Sequence, residues 1–447
     1  MSDKQEALAR QIPDTPPGRR LAWWLGRIAD NGDSADPADF DFYAPSLRAQ
    51  EPLLGASIEA LREAWRGQAT RLGEPLTVAV ERSSESELVA VVATSKGRRF
   101  VFTVATEPDP PHGLTSLRYE RKHEFQLDVR EATASDASVL ADIERRCPIV
   151  MGDTSVWFDR GADYMTGPRL MEDCTIGLAS VDGVPAAVSC GAERLVLVGG
   201  AVKKMVTVSH LRVLPEHQRK GLWGAANRVL EKYWDHVDGS QAYISVDNAG
   251  MQHGFEGTPD KWPQIVQRAE LDCTALAGPM AGRPATRADA DEIARRLTAF
   301  HRAEELFVPY DGAGLARRVE RAPDLYGWDN IWMTDSAVVG VWAAGAALRT
   351  VTEIAGAQTV TMPGVVLDYA FAPAAEAEFE ALLRAWCGRL ASVGLDTLVI
   401  YTSPASTGHA LIATLARSVG DFFTWTPGIP VPPGAERRGL YTDAIYF

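Results

Sequence analysis

The run Leu211-Arg212-Val213-Leu214-Pro215-Glu216-His217-Gln218-Arg219-Lys220-Gly221-Leu222-Trp223-Gly224 holds the residue types best suited to chemistry in this chain of 447 residues. An apolar strand ends at a proline and a basic, glycine-containing turn follows. A helix is expected to start at about Gly221 and to continue through Ala225-Ala226-Asn227-Arg228-Val229-Leu230. A turn of this kind aims backbone N–H groups and a helix N-terminus at one point, which suits a phosphate or pyrophosphate. Arg219 and Lys220 add charge of the matching sign, and Gly221 permits close backbone approach. The bland alternative is a plain strand–turn–helix connection. The basic turn and the duplicated context around it weigh against that.

The elements that must position this turn are visible as a faint repeat. Arg130-Glu131-Ala132-Thr133-Ala134-Ser135-Asp136-Ala137 parallels Arg283-Pro284-Ala285-Thr286-Arg287-Ala288-Asp289-Ala290 at an offset of 153 residues. Both read as a short strand, a Ser/Asp-type cap and an apolar-periodic helix. Further on, Thr175 to Val188 and Asn330 to Val341 each read as strand, tight polar turn, strand. The fold class expected is α/β (α+β), with two diverged copies of one domain over about 126–280 and 281–447.

The first 125 residues differ. Helices are expected over 20–70 around an acidic loop, Asp30 to Asp41, with Leu53, Leu54, Ile58, Leu61 and Trp65 at helical spacing. Strand-like runs Leu76–Val80, Leu88–Ala93 and Arg99–Val104 follow. Glu107-Pro108-Asp109-Pro110-Pro111-His112 precedes a last strand through Leu117 and Tyr119. Helices followed by an antiparallel meander imply an α+β cone. Its Trp23-Trp24 pair reads as packing rather than a ligand cage.

The composition, 46% hydrophobic and 23% charged, is that of a globular protein. No run approaches the ~20 apolar residues of a membrane span, nothing at Met1 to Arg10 resembles a signal peptide, and a cytoplasmic location is expected. A net charge of −14 argues against nucleic acid or an anionic membrane as partner. It is compatible with a cationic small substrate. Five cysteines (Cys147, Cys174, Cys190, Cys273, Cys387), odd in number and without CxxC spacing, read as reduced core residues. No metal site is expected.

Arg130-Glu131-Ala132-Thr133, Leu211-Arg212-Val213-Leu214-Pro215 and Gln218-Arg219-Lys220-Gly221 together resemble the Gcn5-related N-acetyltransferases. That family's signature is Gln/Arg-x-x-Gly-x-Gly/Ala after its fourth strand. This chain keeps Gln218 and Gly221 but has Trp223 at the last small position. The run Val213 to Leu222 is close to the Val-x-Pro-x-His-x-Arg-basic-Gly-Leu run of the Eis-type tandem aminoglycoside acetyltransferases. The N-terminal region looks like the NTF2-like accessory domains, on its Pro-Pro-His turn before a final strand. The resemblance implies an NTF2-like cone (1–125), a Gcn5-related acyltransferase domain with the acyl-CoA loop (126–280) and a degenerate copy (281–447).

The chemistry so implied is transfer of an acyl group, most simply acetyl, from acetyl-CoA or another acyl-CoA to an amine of a small metabolite, cationic or aminoglycoside-like. Backbone groups of Leu211, Arg212 and Val213 would hold pantetheine and thioester, with a bulge near Val213 splaying the strand. Amides of Gln218, Arg219, Lys220, Gly221, Leu222, Trp223 and Gly224 would hold the pyrophosphate, and Asn248 fits the family's asparagine. An ammonium must lose a proton before it attacks. The family's base position falls on Ser209 and His210, and histidine titrates near neutral pH. A half-buried structural strand histidine is the equal alternative. The family's acid tyrosine has no counterpart here, which leaves His253 or an unassisted thiolate. In the second copy, Val365 to Pro373 matches the fourth strand, but the acidic run Ala374 to Glu380 would repel a pyrophosphate. Asp368 could face substrate or be structural, and Ala444 to Phe447 reads as a last strand. A non-catalytic acyl-CoA-binding scaffold, and a CoA-dependent decarboxylase or thioesterase, stay open, as does a homo-oligomer.

Overall fold

The computed structural model describes residues 3–50, 57–161, 163–248 and 261–446. They fall into two compact units, Met1–Gln126 and Leu127–Phe447.

In the first unit four antiparallel strands, β1 (Pro75–Ser83), β2 (Glu87–Thr94), β3 (Arg99–Thr106) and β4 (Leu114–Arg121), pair in sequence order. Alternating Leu88, Ala90 and Val92 with Phe100, Phe102 and Val104 cover one face. Against it lie the helices Pro16–Ala29 and Ile58–Leu72, which contribute Leu21, Trp24, Leu25, Leu61 and Trp65. The expected acidic loop contains a 3-10 turn, Pro37–Phe42. Its buried Asp39 accepts from Trp23 Nε1 (2.9 Å) and pairs with Arg27 (2.6 Å). Trp23 stacks on Phe42, so the tryptophan pair is packing here. Leu53 and Leu54 lie outside the described residues.

The second unit is built on a sheet that counts twelve strands among the described residues. One half supplies β5 (Leu127–Glu131), β8 (Cys174–Val181), β9 (Val184–Val198), β10 (Ala201–Val213), β11 (Gly239–Ser245) and β12 (Lys261–Asp272). The other supplies β13 (Arg283–Pro284), β14 (Ile331–Met333), β15 (Ala337–Trp342), β18 (Pro363–Phe371), β19 (Thr397–Thr402) and β20 (Ser418–Trp425). The order is β13-β14-β15-β18-β19-β12-β20-β11-β10-β9-β8-β5, so it reads alike from both edges. At the centre the halves exchange their last strands. β12 pairs with β19 of the other half, and β20 pairs with β11. A smaller sheet also joins them: β6 (Ile149–Met151) and β7 (Thr154–Asp159) pair with the hairpin β16 (Arg349–Ile354) and β17 (Ala357–Thr361). The molecule is therefore mixed α and β with large sheets. Among the described residues no helix is long and apolar enough to cross a membrane.

The repeated sequence makes the same local structure twice. Arg130 bonds both oxygens of Asp136 (2.8 and 2.7 Å), which also accepts from Thr133 N (2.8 Å). Arg283, Asp289 and Thr286 repeat this set (2.9, 2.7 and 2.8 Å). Each is a capping box that starts a helix, Ala137–Arg146 and Ala290–His301. The expected terminal strand is a correction. Ala444–Tyr446 is a 3-10 turn, because Asp443 is fixed by Arg318 (2.7 Å) and itself accepts from Ile445 N (3.2 Å).

Candidate active site

β10 and β11 run parallel for three rungs, Met205 with Gly239, Val206 with Ser240 and Thr207 with Gln241. Beyond Thr207 they part, because β11 turns its pairing to β20 from Ala242 onward. Among the described residues the stretch Val208–Val213 then pairs with β9 on one side and with no strand on the other. A cleft between parted parallel strands offers backbone donors and acceptors to an extended, amide-bearing ligand. β18 and β19 repeat the pattern, three parallel rungs and then a divergence after Val365.

The bulge in β10 lies earlier than Val213, where the sequence suggested it. Ser209 pairs with Cys190 and Arg212 with Val188, so His210 and Leu211 stand against the single residue Ser189. His210 adopts φ 50°, the left-handed conformation that a bulge imposes and that a residue other than glycine rarely takes. This rotates the imidazole inward, where it is 6% exposed. His210 is therefore not a half-exposed strand residue.

A buried charged cluster receives it. Tyr164 Oη lies 3.1 Å from His210 Nδ1 and donates to Glu144 Oε2 at 3.1 Å. Glu144, wholly buried on the helix Ala137–Arg146, also accepts from Arg160 Nε (3.0 Å) and Arg212 Nη2 (2.9 Å). Burial raises the Glu144 pKa, but the two guanidiniums outweigh it and hold the group at about 2. Burial, with Arg160 next, pushes His210 well below the ordinary histidine value, so it is neutral at pH 7. Among the described residues its Nε2 has no hydrogen-bond partner, and it is closed to solvent. Ser209 forms the last regular rung before the bulge.

At the far end of β10 the basic turn takes shape. Pro215–His217 makes one 3-10 turn and Gln218 is extended. Arg219 (φ 61°) and Gly221 (φ 84°) are both left-handed. Gly221 is the N-cap of Leu222–Ala226, and the first amide bonded within that helix is Ala225 N, to the Gly221 carbonyl (3.3 Å). Leu222 is buried and anchors the turn. Gln218, Arg219 and Gly224 are exposed, and Trp223 is 41% exposed. The expected continuous helix is instead broken: a 3-10 segment, Asn227–Leu230, separates Leu222–Ala226 from Glu231–Trp234. This run packs so tightly on β8 that a side chain at Gly177 would meet the Ala226 carbonyl at 2.2 Å. The residues present fit an acyl-CoA: a strand cleft for the pantetheine arm and a left-handed basic turn for the pyrophosphate. Asn248 lies beyond β11 and its N–H bonds the Ser245 carbonyl (3.1 Å). His253 lies outside the described residues.

Sequence reasoning missed Glu144, Arg160 and Tyr164. Tyr164, which stands beside His210, comes from a segment 46 residues upstream. The cysteines are free. Cys174 and Cys190, on adjacent strands, have sulfurs 3.3 Å apart, and burial pushes the Cys147 thiol up to about 11. In the second half Asp368 accepts from the Tyr326 hydroxyl (2.7 Å) and faces Arg318, which is held in turn by Asp443. The cleft there meets the chain's own segment: Leu440 N donates to Ser403 Oγ just beyond β19 (2.9 Å), and Ala444–Tyr446 packs on β18.

No protein-family model matches the chain, and no curated protein matches it. Among solved structures it is similar to Saccharomyces cerevisiae N-myristoyltransferase with bound myristoyl-CoA and inhibitors, at 11% identity and a TM-score of 0.49, covering 71% of this chain and 86% of that one. It is similar also to Gcn5-related N-acetyltransferases from Kribbella flavida (14%, TM-score 0.36, 67% and 71% covered) and Anabaena variabilis (11%, 0.36, 67% and 72%).

Proposed function

We propose that the chain is an acyl-CoA-dependent N-acyltransferase, most simply an N-acetyltransferase, whose working site lies in the half 127–280. The observation that carries this is the run of β10. One strand parts from its parallel neighbour at Thr207, bulges at His210, and ends in the left-handed basic turn at Arg219 and Gly221. Pyrophosphate, pantetheine and reacting centre therefore have places in sequence along one strand. Backbone groups of Leu211 to Val213 hold the arm, and the amides of Arg219 to Gly224 hold the diphosphate, the Gln218 N–H being taken by the Pro215 carbonyl (3.3 Å).

His210 accepts a proton from the acceptor's ammonium at Nε2. The free amine attacks the thioester carbon, the C–N bond forms, and the C–S bond breaks. The second amine proton goes to the departing sulfur, and the first stays on His210 Nε2 until the products leave. A thiol pKa of roughly 8.5 makes a dedicated acid dispensable.

The second half we read as a degenerate copy. Its helix begins at Glu376 in place of a glycine turn, and the segment Leu440–Tyr446 lies at its cleft. The first unit we read as an NTF2-like accessory module. Charge at the site does not favour a polycationic acceptor: Arg160 and Arg212 share one carboxylate, Glu144. A small amine with at most one cationic centre fits better. A second reading, a non-catalytic acyl-CoA-binding protein, is favoured by the closure of His210 Nε2 to solvent.

Acetyl-CoA turnover against a panel of mono- and polyamines separates the two. Thiol release with a monoamine, lost in His210→Ala, supports the enzyme. Binding without turnover, unchanged in that variant, supports the second reading.

A further inference from the structure

We propose that Tyr164 and Glu144 are positioning residues that hold His210 as the Nδ1–H tautomer, leaving the Nε2 lone pair as the proton acceptor. This rests on the acyltransferase reading only for its catalytic consequence. The inference follows from counting donors. Ionised Glu144 can only accept, and Arg160 and Arg212 occupy an oxygen each. The Tyr164 hydroxyl has one proton. If it went to His210 Nδ1, the phenol lone pairs would face the carboxylate Oε2 at 3.1 Å, a repulsive contact. The proton therefore goes to Glu144, and the phenol oxygen is left as an acceptor facing Nδ1 at 3.1 Å. Nδ1 must then carry the imidazole proton, because neutral histidine has one N–H and the opposite assignment sets two lone pairs against each other. Nε2 is left as a buried acceptor without a donor. Such an unmet buried acceptor is unfavourable, and an incoming ammonium N–H would satisfy it.

No proton needs to travel along the chain. When Nε2 takes a proton, Nδ1–H stays on Tyr164, and the Glu144 charge favours the imidazolium against Arg160 and Arg212. Arg160, Glu144 and Arg212, with the Tyr164 hydroxyl, are the titratable or charged groups that act on His210 among the described residues. The bulge is what makes the contact. The left-handed turn at His210 points the ring to the helix Ala137–Arg146 and the segment carrying Tyr164.

The test is the nitrogen chemical shifts of ¹⁵N-histidine-labelled full-length protein at pH 7, with His210 assigned by its loss in His210→Gln. The expected result is a protonated Nδ1 and an unprotonated Nε2. In Tyr164→Phe, which keeps the ring and loses only the hydroxyl, the two signals should move toward the opposite tautomer or an average. The same variant should lower kcat on the order of five- to tenfold, the worth of one hydrogen bond, with KM for acyl-CoA unchanged and the acid limb of the kcat profile displaced. A protonated Nε2 in the wild type overturns the proposal, and so do identical spectra in the two proteins. Should Tyr164→Phe fail to fold, the wild-type tautomer alone decides. Absence of acyl-CoA binding or turnover would remove the acyltransferase reading and leave the tautomer result standing.

Discussion

His210 sits among groups that fix its charge state. Burial first, then Arg160 and Arg212, keep it neutral, while the single carboxylate Glu144 works the other way. If it is the base, His210→Ala should lower kcat/KM by roughly 10²–10⁴-fold, read in steady-state assays with the best amine of the panel. The acid limb of the wild-type profile should lie below pH ~6.5, the ordinary histidine value. A limb at or above that pH would exclude His210 as its source. The same depression has a stability consequence. Below the unfolded pKa the unfolded chain takes a proton that the folded chain refuses, so stability falls as pH drops from ~6.5 toward the depressed folded value. Wild type should lose denaturation free energy in that window, and His210→Gln should lose less. Glu144→Ala acts differently: it strands the buried Arg160 guanidinium and the half-buried one of Arg212 and should cost about 3–5 kcal/mol, measured by urea unfolding at pH 7.

At the scale of elements, the basic turn depends on two consecutive departures into the left-handed region, at Arg219 and Gly221. Gly221→Ala should introduce roughly 1–2 kcal/mol of backbone strain. Placed at the turn, that should weaken acyl-CoA binding five- to thirty-fold by calorimetry and leave far-UV circular dichroism unchanged. Equal affinity would show that the turn does not hold the cofactor. The turn was legible in the sequence because its information is local: proline, basic pair and glycine follow within seven residues (Pro215 to Gly221). The capping boxes were legible for the same reason, and Arg130, Thr133 and Asp136 recur as Arg283, Thr286 and Asp289. The bulge was misplaced because a bulge is a property of a pair. Only the partners of Ser209 and Arg212 on β9 reveal the extra residue. Glu144 and Tyr164 carried no signal at all, since nothing adjacent to them in sequence says that a strand 46 residues downstream from Tyr164 will turn a histidine toward them.

At the scale of the whole molecule, the exchange of β12 and β20 was invisible for a like reason. Each strand is apolar enough to serve in its own half, and only the assembled sheet shows that it serves in the other. The exchange binds 127–447 into one compact unit. A fragment 127–280 would lack β20 between β11 and β12 and leave open strand edges of the kind that aggregate. It should therefore be insoluble or unfolded when expressed alone, whereas 127–447 should unfold in a single cooperative transition. A soluble, cooperatively folded 127–280 would show that the halves are independent.

The most direct test of the central claim, an acyl-CoA held along β10, is calorimetric titration of acetyl-CoA into the full-length protein and into Gly221→Ala. The expected result is one equivalent bound per chain, with an affinity on the order of micromolar as for many enzyme substrates, and a clear weakening in the variant. No heat with the wild-type protein, or binding that the variant leaves untouched, would contradict it.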